Sequence, residues 1–130
     1  MQEGVPVREQ ITAAKGAKPA GPYSHAIACS GTLVFVSGQG PSNPSTGEMP
    51  DTFEESARQT LENVKVIVEA AGATMADVVK VHAYLRDMDD FATFNEVYRT
   101  FFSDPYPART TVQSDLNIPI EIDVIAVLPA

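Results

Sequence analysis

The chain is poor in cysteine: Cys29 is the only one in 130 residues. A single cysteine cannot form an internal disulfide, so the sequence favours a reducing compartment, and we expect a cytoplasmic protein. Apolar neighbours favour a buried, unreactive Cys29. The first residues lack the basic and apolar regions of a signal peptide, and no apolar run is long enough to span a bilayer. We therefore expect no membrane partner.

Positive charge is also scarce. The chain has 9 Lys and Arg against 17 Asp and Glu, a net charge of -8, and no cluster of basic residues. Binding to nucleic acid depends on cationic contacts with phosphates, so we expect no nucleic-acid partner. A small anionic metabolite could still bind at one local positive group.

Metal and cofactor motifs are missing as well. His25 and His82 are isolated, and the acids at Asp87, Asp89 and Asp90 lack the glycine and the distal glutamate of a calcium loop. No glycine-rich phosphate fingerprint joins a strand to a helix. We expect neither a metal nor a cofactor.

What the chain does have is the length and the 44% hydrophobic content of one domain, residues 1–130. Short apolar runs between turn residues predict strands. These lie at Val5–Ile11, Ser24–Ser30, Leu33–Ser37, Val79–Leu85, Ala108–Val112 and Ile120–Val127. Gly31-Thr32 predicts a tight hairpin between the second and third strands.

Two stretches predict helices. The first runs from Phe53 to Ala71, with a capping-box pattern beginning at Thr52 and a stop at Gly72. The second carries aromatic residues from Phe91 to Phe102 at helical spacing, which is typical of a core-facing stripe.

The resulting order is β-β-β-α-β-α-β-β. Two helices can cover only one face of a six-stranded mixed sheet, so the pattern predicts an α+β sandwich. In the last strand, the side chains on both sides of the sheet include apolar residues, Ile122 on one side and Ile125 on the other. A sheet with two apolar faces in so short a chain predicts a homo-oligomer.

Arg109 is the leading candidate binding residue. It precedes Thr110-Thr111 near the start of a strand, and a guanidinium suits two-point contact with a small carboxylate. The structural alternative is an ion pair with an acid such as Glu121. Other polar or aromatic candidates are Tyr23, Ser37, Asn95 and Thr111.

The chain resembles the RidA group of the reactive-intermediate deaminase (Rid) family, members of which are also labelled L-PSP endoribonucleases. The resemblance runs in order from about residue 19 to residue 128. It rests on Gly21-Pro22-Tyr23-Ser24, Val36-Ser37-Gly38-Gln39, Pro44-x-Thr46-Gly47-Glu48, Asn63-Val64-x-x-Ile67-Val68-Glu69-Ala70-Ala71-Gly72, Asp90-Phe91-Ala92-x-Phe94-Asn95, Pro107-Ala108-Arg109-Thr110 and Ile120-Glu121-Ile122.

That resemblance implies a chorismate-mutase-like fold, a homotrimer with a cleft at each subunit interface, and cofactor-free hydrolysis of 2-aminoacrylate-type enamines and imines. It implies that Arg109 binds the substrate carboxylate and that Glu121 orients the attacking water. It also implies that Ser37 and Gly38 line the lip of the site. Asn95 and Tyr23 would complete the pocket, with Tyr23 coming from a neighbouring subunit.

The sequence departs from the family pattern at two places. Thr111 stands where many members have a cysteine, so any hydrogen bond made at that position must come from a hydroxyl. The segment 114–119 is also shorter than is usual in the family. Two other functions stay open: a non-catalytic trimeric binding or regulatory module for small carboxylates, and a ribonuclease-type translation inhibitor, which the acidic charge disfavours.

Overall fold

The strands form two separate sheets in the computed structural model, which describes residues 7–130. The six strands are β1 (Arg8–Ile11), β2 (Ala26–Cys29), β3 (Leu33–Gln39), β4 (Val78–Leu85), β5 (Ala108–Gln113) and β6 (Ile120–Val127). A four-stranded mixed sheet has the order β3-β6-β4-β5, with only β4 and β5 parallel. β1 and β2 form their own antiparallel pair, so the prediction of one six-stranded sheet is corrected to four strands plus two. The predicted strand residues Val5 and Pro6 lie outside the described residues.

The turn at Gly31-Thr32 does not form the predicted hairpin. β2 pairs with β1, whereas β3 pairs with β6, the last strand of the chain. Gly31 has a φ of +119°, which glycine adopts without strain, and it takes the chain from one sheet to the other. The prediction was wrong because the pairing that buries the inner side of β3 is with a strand distant in sequence. Val36, for example, lies opposite Val124 in the core.

Cys29 is exposed, contrary to the expectation of burial. It is the last residue of β2, which lies outside the four-stranded sheet that the helices cover. Apolar neighbours in sequence therefore did not indicate a buried thiol.

Two helices cover one face of the four-stranded sheet: α1 (Phe53–Ala70) and α2 (Phe91–Phe101). The predicted ends of α1 are confirmed: the Thr52 hydroxyl accepts the Glu55 N–H at 3.2 Å, and Gly72 follows the helix at a φ of +95°. The aromatic stripe of α2 packs in the core as predicted, with Phe94 and Tyr98 fully buried. Short 3₁₀ turns at Met75–Asp77 and Met88–Asp90 precede β4 and α2. Among residues 7–130, no helix has the length and apolar character needed to span a membrane.

The four-stranded sheet has two different faces. On β4 and β6, alternate residues such as Val81 and Ile122 are buried beneath the helices. The opposite face, here called the outer face, is partly exposed in the part of the chain that the structure describes. It exposes large apolar side chains on both edge strands, with Phe35 70% exposed, Leu33 43% and Val112 42%. The predicted α+β architecture, with two helices on one side of a mixed sheet, is confirmed.

Candidate functional site

Arg109 and Thr111 lie on the helix-covered face of β5. Arg109 pairs with Val81 of β4 and Thr111 pairs with Ala83, and both of these β4 residues are buried in the core. Paired residues of neighbouring strands point to the same side of a sheet. The register with β4 therefore directs both β5 side chains towards α2.

The Arg109 guanidinium is surrounded by aromatic rings. Its Cζ lies 4.7 Å from the ring centroid of Tyr98, 5.3 Å from that of Phe94, 5.7 Å from that of Tyr23 and 5.8 Å from that of Phe91. These distances permit cation–π attraction, which is strongest where water is excluded. Burial lowers the pKa of Arg109, partly offset by the nearby Tyr98 and Tyr23, but a guanidinium remains charged at neutral pH.

Arg109 has no ion-pair partner among residues 7–130. The two pairs within 4.0 Å in this part of the chain are Arg58–Glu54 and His82–Asp123. The structural alternative, an ion pair between Arg109 and Glu121, is therefore not formed in the chain. Arg109 is half-buried, and a cation partly removed from water without a carboxylate partner is destabilising, so an anionic ligand would compensate for it.

Among residues 7–130, four buried polar atoms on α2 and β5 have no hydrogen-bond partner. They are Asn95 Oδ1, the Tyr98 hydroxyl, Arg109 Nη1 and Thr111 Oγ1. Natural proteins leave few such atoms unpaired, so a group of them at one place indicates a ligand or water site. We call these four residues, together with Tyr23, the arginine cluster.

Tyr23 is held beside Arg109 by contacts within the same chain. The Ser24 N–H donates to the Pro107 carbonyl at 3.2 Å, and the Ser24 hydroxyl donates to the Tyr106 carbonyl. Both carbonyls lie just before β5, so Tyr23 reaches the start of the strand that carries Arg109. The resemblance implied that Tyr23 comes from a neighbouring subunit, whereas here the chain's own Tyr23 lies against its own Arg109.

Gly21 packs closely against the arginine cluster. A Cβ added to Gly21 would lie 3.5 Å from Arg109 Nη2, 3.6 Å from Tyr23 Cε2 and 3.7 Å from Asn95 Nδ2. Gly21, Tyr23, Asn95 and Arg109 therefore converge at one point.

Glu121 lies on the outer face of the sheet. It pairs with Tyr84 of β4, which in turn pairs with Val112 of β5, so this row points away from the helices. Partial burial, and then the neighbouring Asp123 and Glu121 carboxylates, raise the pKa of the Tyr84 phenol. Glu121 is only half-buried, so its carboxylate can reach solvent or a second chain.

The Glu121 carboxylate lies directly over Gly38 of β3. The pairing of β3 with β6 is irregular between Val36 and Gln39, which places Gly38 at this point. A Cβ at Gly38 would be 2.9 Å from Glu121 Cδ, too close for any real Cβ contact. Ser37 precedes it and is exposed. We call Ser37, Gly38 and Glu121 the glutamate cluster.

The structure thus brings the sequence-predicted residues together in two groups on opposite faces of one sheet. Tyr23, Asn95, Arg109 and Thr111 form one group. Ser37, Gly38 and Glu121 form the other. Sequence reasoning missed Tyr98, which it treated as core only; its hydroxyl within a buried stripe was the available signal. Among residues 7–130, no group of three or more potential metal-binding side chains is present.

A model of the endoribonuclease L-PSP family matches residues 13–128. The chain belongs to this family. It is 43% identical over 113 residues to 2-iminobutanoate/2-iminopropanoate deaminase of Escherichia coli, covering 82% of this chain and 88% of that protein. It is 44% identical over 124 residues to a RutC family protein of Pyrococcus horikoshii, covering 92% of this chain and 98% of that one.

Solved structures agree with the fold. The crystal structure of E. coli TdcF with bound serine matches with a TM-score of 0.72 and 41% identity, over 93% of this chain and 99% of that one. The resemblance to the RidA group is therefore confirmed at the level of the family, some members of which are named as deaminases.

Proposed function

We propose that this protein is an enamine/imine deaminase that hydrolyses imines of short 2-oxo acids, formed from 2-aminoacrylate-type enamines, to the 2-oxo acid and ammonia. The observation that carries the proposal is the half-buried guanidinium of Arg109, whose buried Nη1 has no hydrogen-bond partner among residues 7–130. The E. coli relative named as a 2-iminobutanoate/2-iminopropanoate deaminase and the serine bound to TdcF support a small substrate with a carboxylate.

Arg109 provides the carboxylate-binding half of the site. A guanidinium can donate two parallel hydrogen bonds to one carboxylate, which sets the orientation of the substrate as well as its affinity. Asn95 Oδ1 can accept a hydrogen bond from the imine N–H, and the Thr111 hydroxyl can serve a further polar atom. The surrounding rings exclude water and strengthen each of these contacts.

Glu121 provides the water-activating half. Its carboxylate accepts a proton from a water molecule as the water oxygen bonds to the imine carbon and the C=N π electrons move to nitrogen. In the resulting tetrahedral adduct the nitrogen takes up the proton held by the carboxylate, and the carboxylate then passes the hydroxyl proton to the same nitrogen. The C–N bond breaks to release ammonia as the C=O bond of the 2-oxo acid forms, and the carboxylate is left ionised as at the start. One water is consumed and one ammonia is released, with no oxidation or reduction.

The two halves lie on opposite faces of the sheet, so we propose that the complete site forms between copies of the chain in a homotrimer. The arginine cluster of one copy would meet the glutamate cluster of its neighbour. The exposed Phe35, Leu33 and Val112 on the outer face support such an assembly, because large apolar groups on a sheet face favour association.

Modest chemistry suffices for this reaction. Imines hydrolyse in water without an enzyme. Holding the substrate and one water in the reactive geometry therefore supplies much of the rate enhancement that the protein must provide. The proposed mechanism uses no cofactor and no metal.

RNA cleavage receives less support from this chain. Net charge is -8, and no basic cluster is present to approach a phosphate backbone. We therefore favour the small-molecule reaction over the ribonuclease activity that the family description names.

The test supplies 2-aminoacrylate from a serine dehydratase reaction and follows 2-oxo acid release with and without this protein. We expect faster release of the 2-oxo acid and a shorter lifetime of the imine. Binding of a 2-oxo acid without any acceleration would instead support a non-catalytic carboxylate-binding module.

A further inference from the structure

Asn63 of α1 joins the helix to the segment that follows Gly38. Its Nδ2 donates to the Gly40 carbonyl at 3.0 Å and to the Ser42 carbonyl at 2.9 Å. These bonds cross more than 20 positions of the chain. We call residues 37–42, which run from the glutamate cluster to these carbonyls, the lip segment.

The Asn63 amide is itself oriented by a neighbour on the same helix. Gln59 Nε2, one turn earlier, donates to Asn63 Oδ1 at 2.9 Å. Because that oxygen is already accepting, the amide nitrogen faces the lip segment with both of its hydrogens available. The bonds to Gln59 and to the Gly40 carbonyl are partly buried, so water competes less with them than with the bond to the exposed Ser42 carbonyl.

The lip segment also has a contact on its other side. A Cβ added to Gly40 would lie 2.9 Å from Cδ1 of Ile118, a residue of the loop that leads into β6 and Glu121. Pro41, the residue between Gly40 and Ser42 in the chain, is buried. The segment is therefore held between α1 and the loop before β6, next to the point where Gly38 lies beneath the Glu121 carboxylate.

We propose that Asn63 is a positioning residue for the deaminase reaction: it fixes the lip segment and so keeps Gly38 and the Glu121 carboxylate in the geometry that activates water. This proposal rests on the proposed function. Asn63 acts only through the lip segment, because its hydrogen bonds reach backbone carbonyls and Gln59. Arg109 lies on the opposite face of the sheet from the Glu121 carboxylate that the lip segment contacts, so carboxylate binding should not depend on the bonds of Asn63 to that segment.

The test variant is Asn63→Asp, which keeps the shape of the side chain and its bond from Gln59 but has no hydrogen to donate to the two carbonyls. Asn63→Ala is the second variant, since it removes the bonds without adding a charge. For both we expect kcat to fall about tenfold, since small displacements in an active site reduce rates strongly. KM and the binding of 2-oxobutanoate should change less than about twofold.

A second measurement is independent of activity. Hydrogen exchange of the backbone amides in the lip segment, residues 37–42, should become faster in both variants than in the parent protein. The control is Val64→Ala, the next residue along α1, which is fully buried in the core. That variant should lower thermal stability but leave kcat and exchange in the lip segment unchanged.

The outcomes separate the two proposals. Unchanged exchange in the lip segment, or faster exchange with an unchanged kcat, would overturn the positioning role of Asn63. A rise in KM equal to the fall in kcat/KM would also overturn it, because Asn63 would then act on substrate binding. A parent protein without deaminase activity would overturn the proposed function, and the exchange measurement would still show whether Asn63 holds the lip segment.

Discussion

The arginine cluster and the glutamate cluster differ in how much of each one chain provides. The arginine cluster is the more enclosed of the two: four rings surround the guanidinium, and four of its polar atoms are buried without a hydrogen-bond partner among residues 7–130. The glutamate cluster is more open, with an exposed Ser37 and a half-buried Glu121 on the outer face of the sheet.

The two clusters therefore suit different steps of the proposed reaction. Binding a carboxylate in a water-poor place needs groups that are oriented before the ligand arrives, and local packing provides that within one chain. Activating water needs a carboxylate that meets the substrate from the other side. Because Arg109 and Glu121 lie on opposite faces of the sheet, a single chain does not aim both groups at one point. A second copy of the chain can.

The largest expected effect concerns the open half. Glu121→Gln keeps the size of the side chain but removes the base, so we expect turnover to fall at least about 100-fold. Binding of a 2-oxo acid should change less than about twofold, as isothermal titration would show. The exposed Glu62→Gln is the matched control and should retain parental turnover. Equal losses of binding and turnover in Glu121→Gln would mean that the two clusters do not have separate roles.

A smaller effect is expected in the enclosed half. Arg109→Lys preserves the charge but replaces the two-point donor with a single ammonium, which should cost about 1.5–3 kcal/mol, or tenfold to a hundredfold in kcat/KM. Binding of a 2-oxo acid should weaken as well, in contrast to Glu121→Gln. Arg58→Lys, at an exposed position on α1, serves as the control. Parental turnover in Arg109→Lys, or its dissociation into monomers, would identify Arg109 as a structural residue.

The oligomeric state of the protein tests whether the two clusters meet between copies of the chain. Phe35 is 70% exposed on the outer face, and burying a phenyl ring contributes about 1.5–3 kcal/mol. Phe35→Glu should therefore weaken the proposed trimer and reduce activity, with the decrease relieved at higher protein concentration. Val66→Glu, 55% exposed on α1, should leave the assembly unchanged. Sedimentation of both variants over a concentration series provides the measurement, and a parent protein that sediments as a monomer would remove the basis for a shared site.

The smallest expected effect is at Gly38. The methyl group of Gly38→Ala would displace the Glu121 carboxylate, which lies over this position, and we expect a loss of about 1 kcal/mol, roughly fivefold in kcat. A double-mutant cycle sharpens the interpretation: Gly38→Ala should add almost nothing to Glu121→Gln if it acts through that carboxylate. Additive losses would show that the backbone of the lip segment acts independently of Glu121.

Much of the local structure follows directly from the sequence. The capping residue Thr52, the apolar face of α1 and Gly72 predict that helix to within one residue, because each signal acts over neighbouring positions. The alternation in β6 likewise separates buried Ile122 from half-buried Glu121. The motifs around Arg109 and Glu121 also consist of neighbouring residues, so the candidate residues on both faces of the sheet could be named from the sequence.

Strand pairing was less predictable. The two short apolar runs around Gly31 suggested a hairpin, but β2 and β3 each pair with a different strand. Pairing depends on which surfaces a strand can bury across the whole fold, and short runs do not encode that choice. Cys29 was wrongly expected to be buried for the same reason.

The sequence alone determined the order of helices and strands, the ends of α1 and the family resemblance carried by Arg109 and Glu121, because these depend on neighbouring residues and ordered motifs. Only the tertiary structure decided that the two residues lie on opposite faces. The segment Ala108–Gln113 has no hydrophobic alternation, so its own pattern cannot tell which side Arg109 occupies. The register with β4 sets that side, since it aligns Arg109 with buried Val81 and directs the guanidinium under the rings of α2.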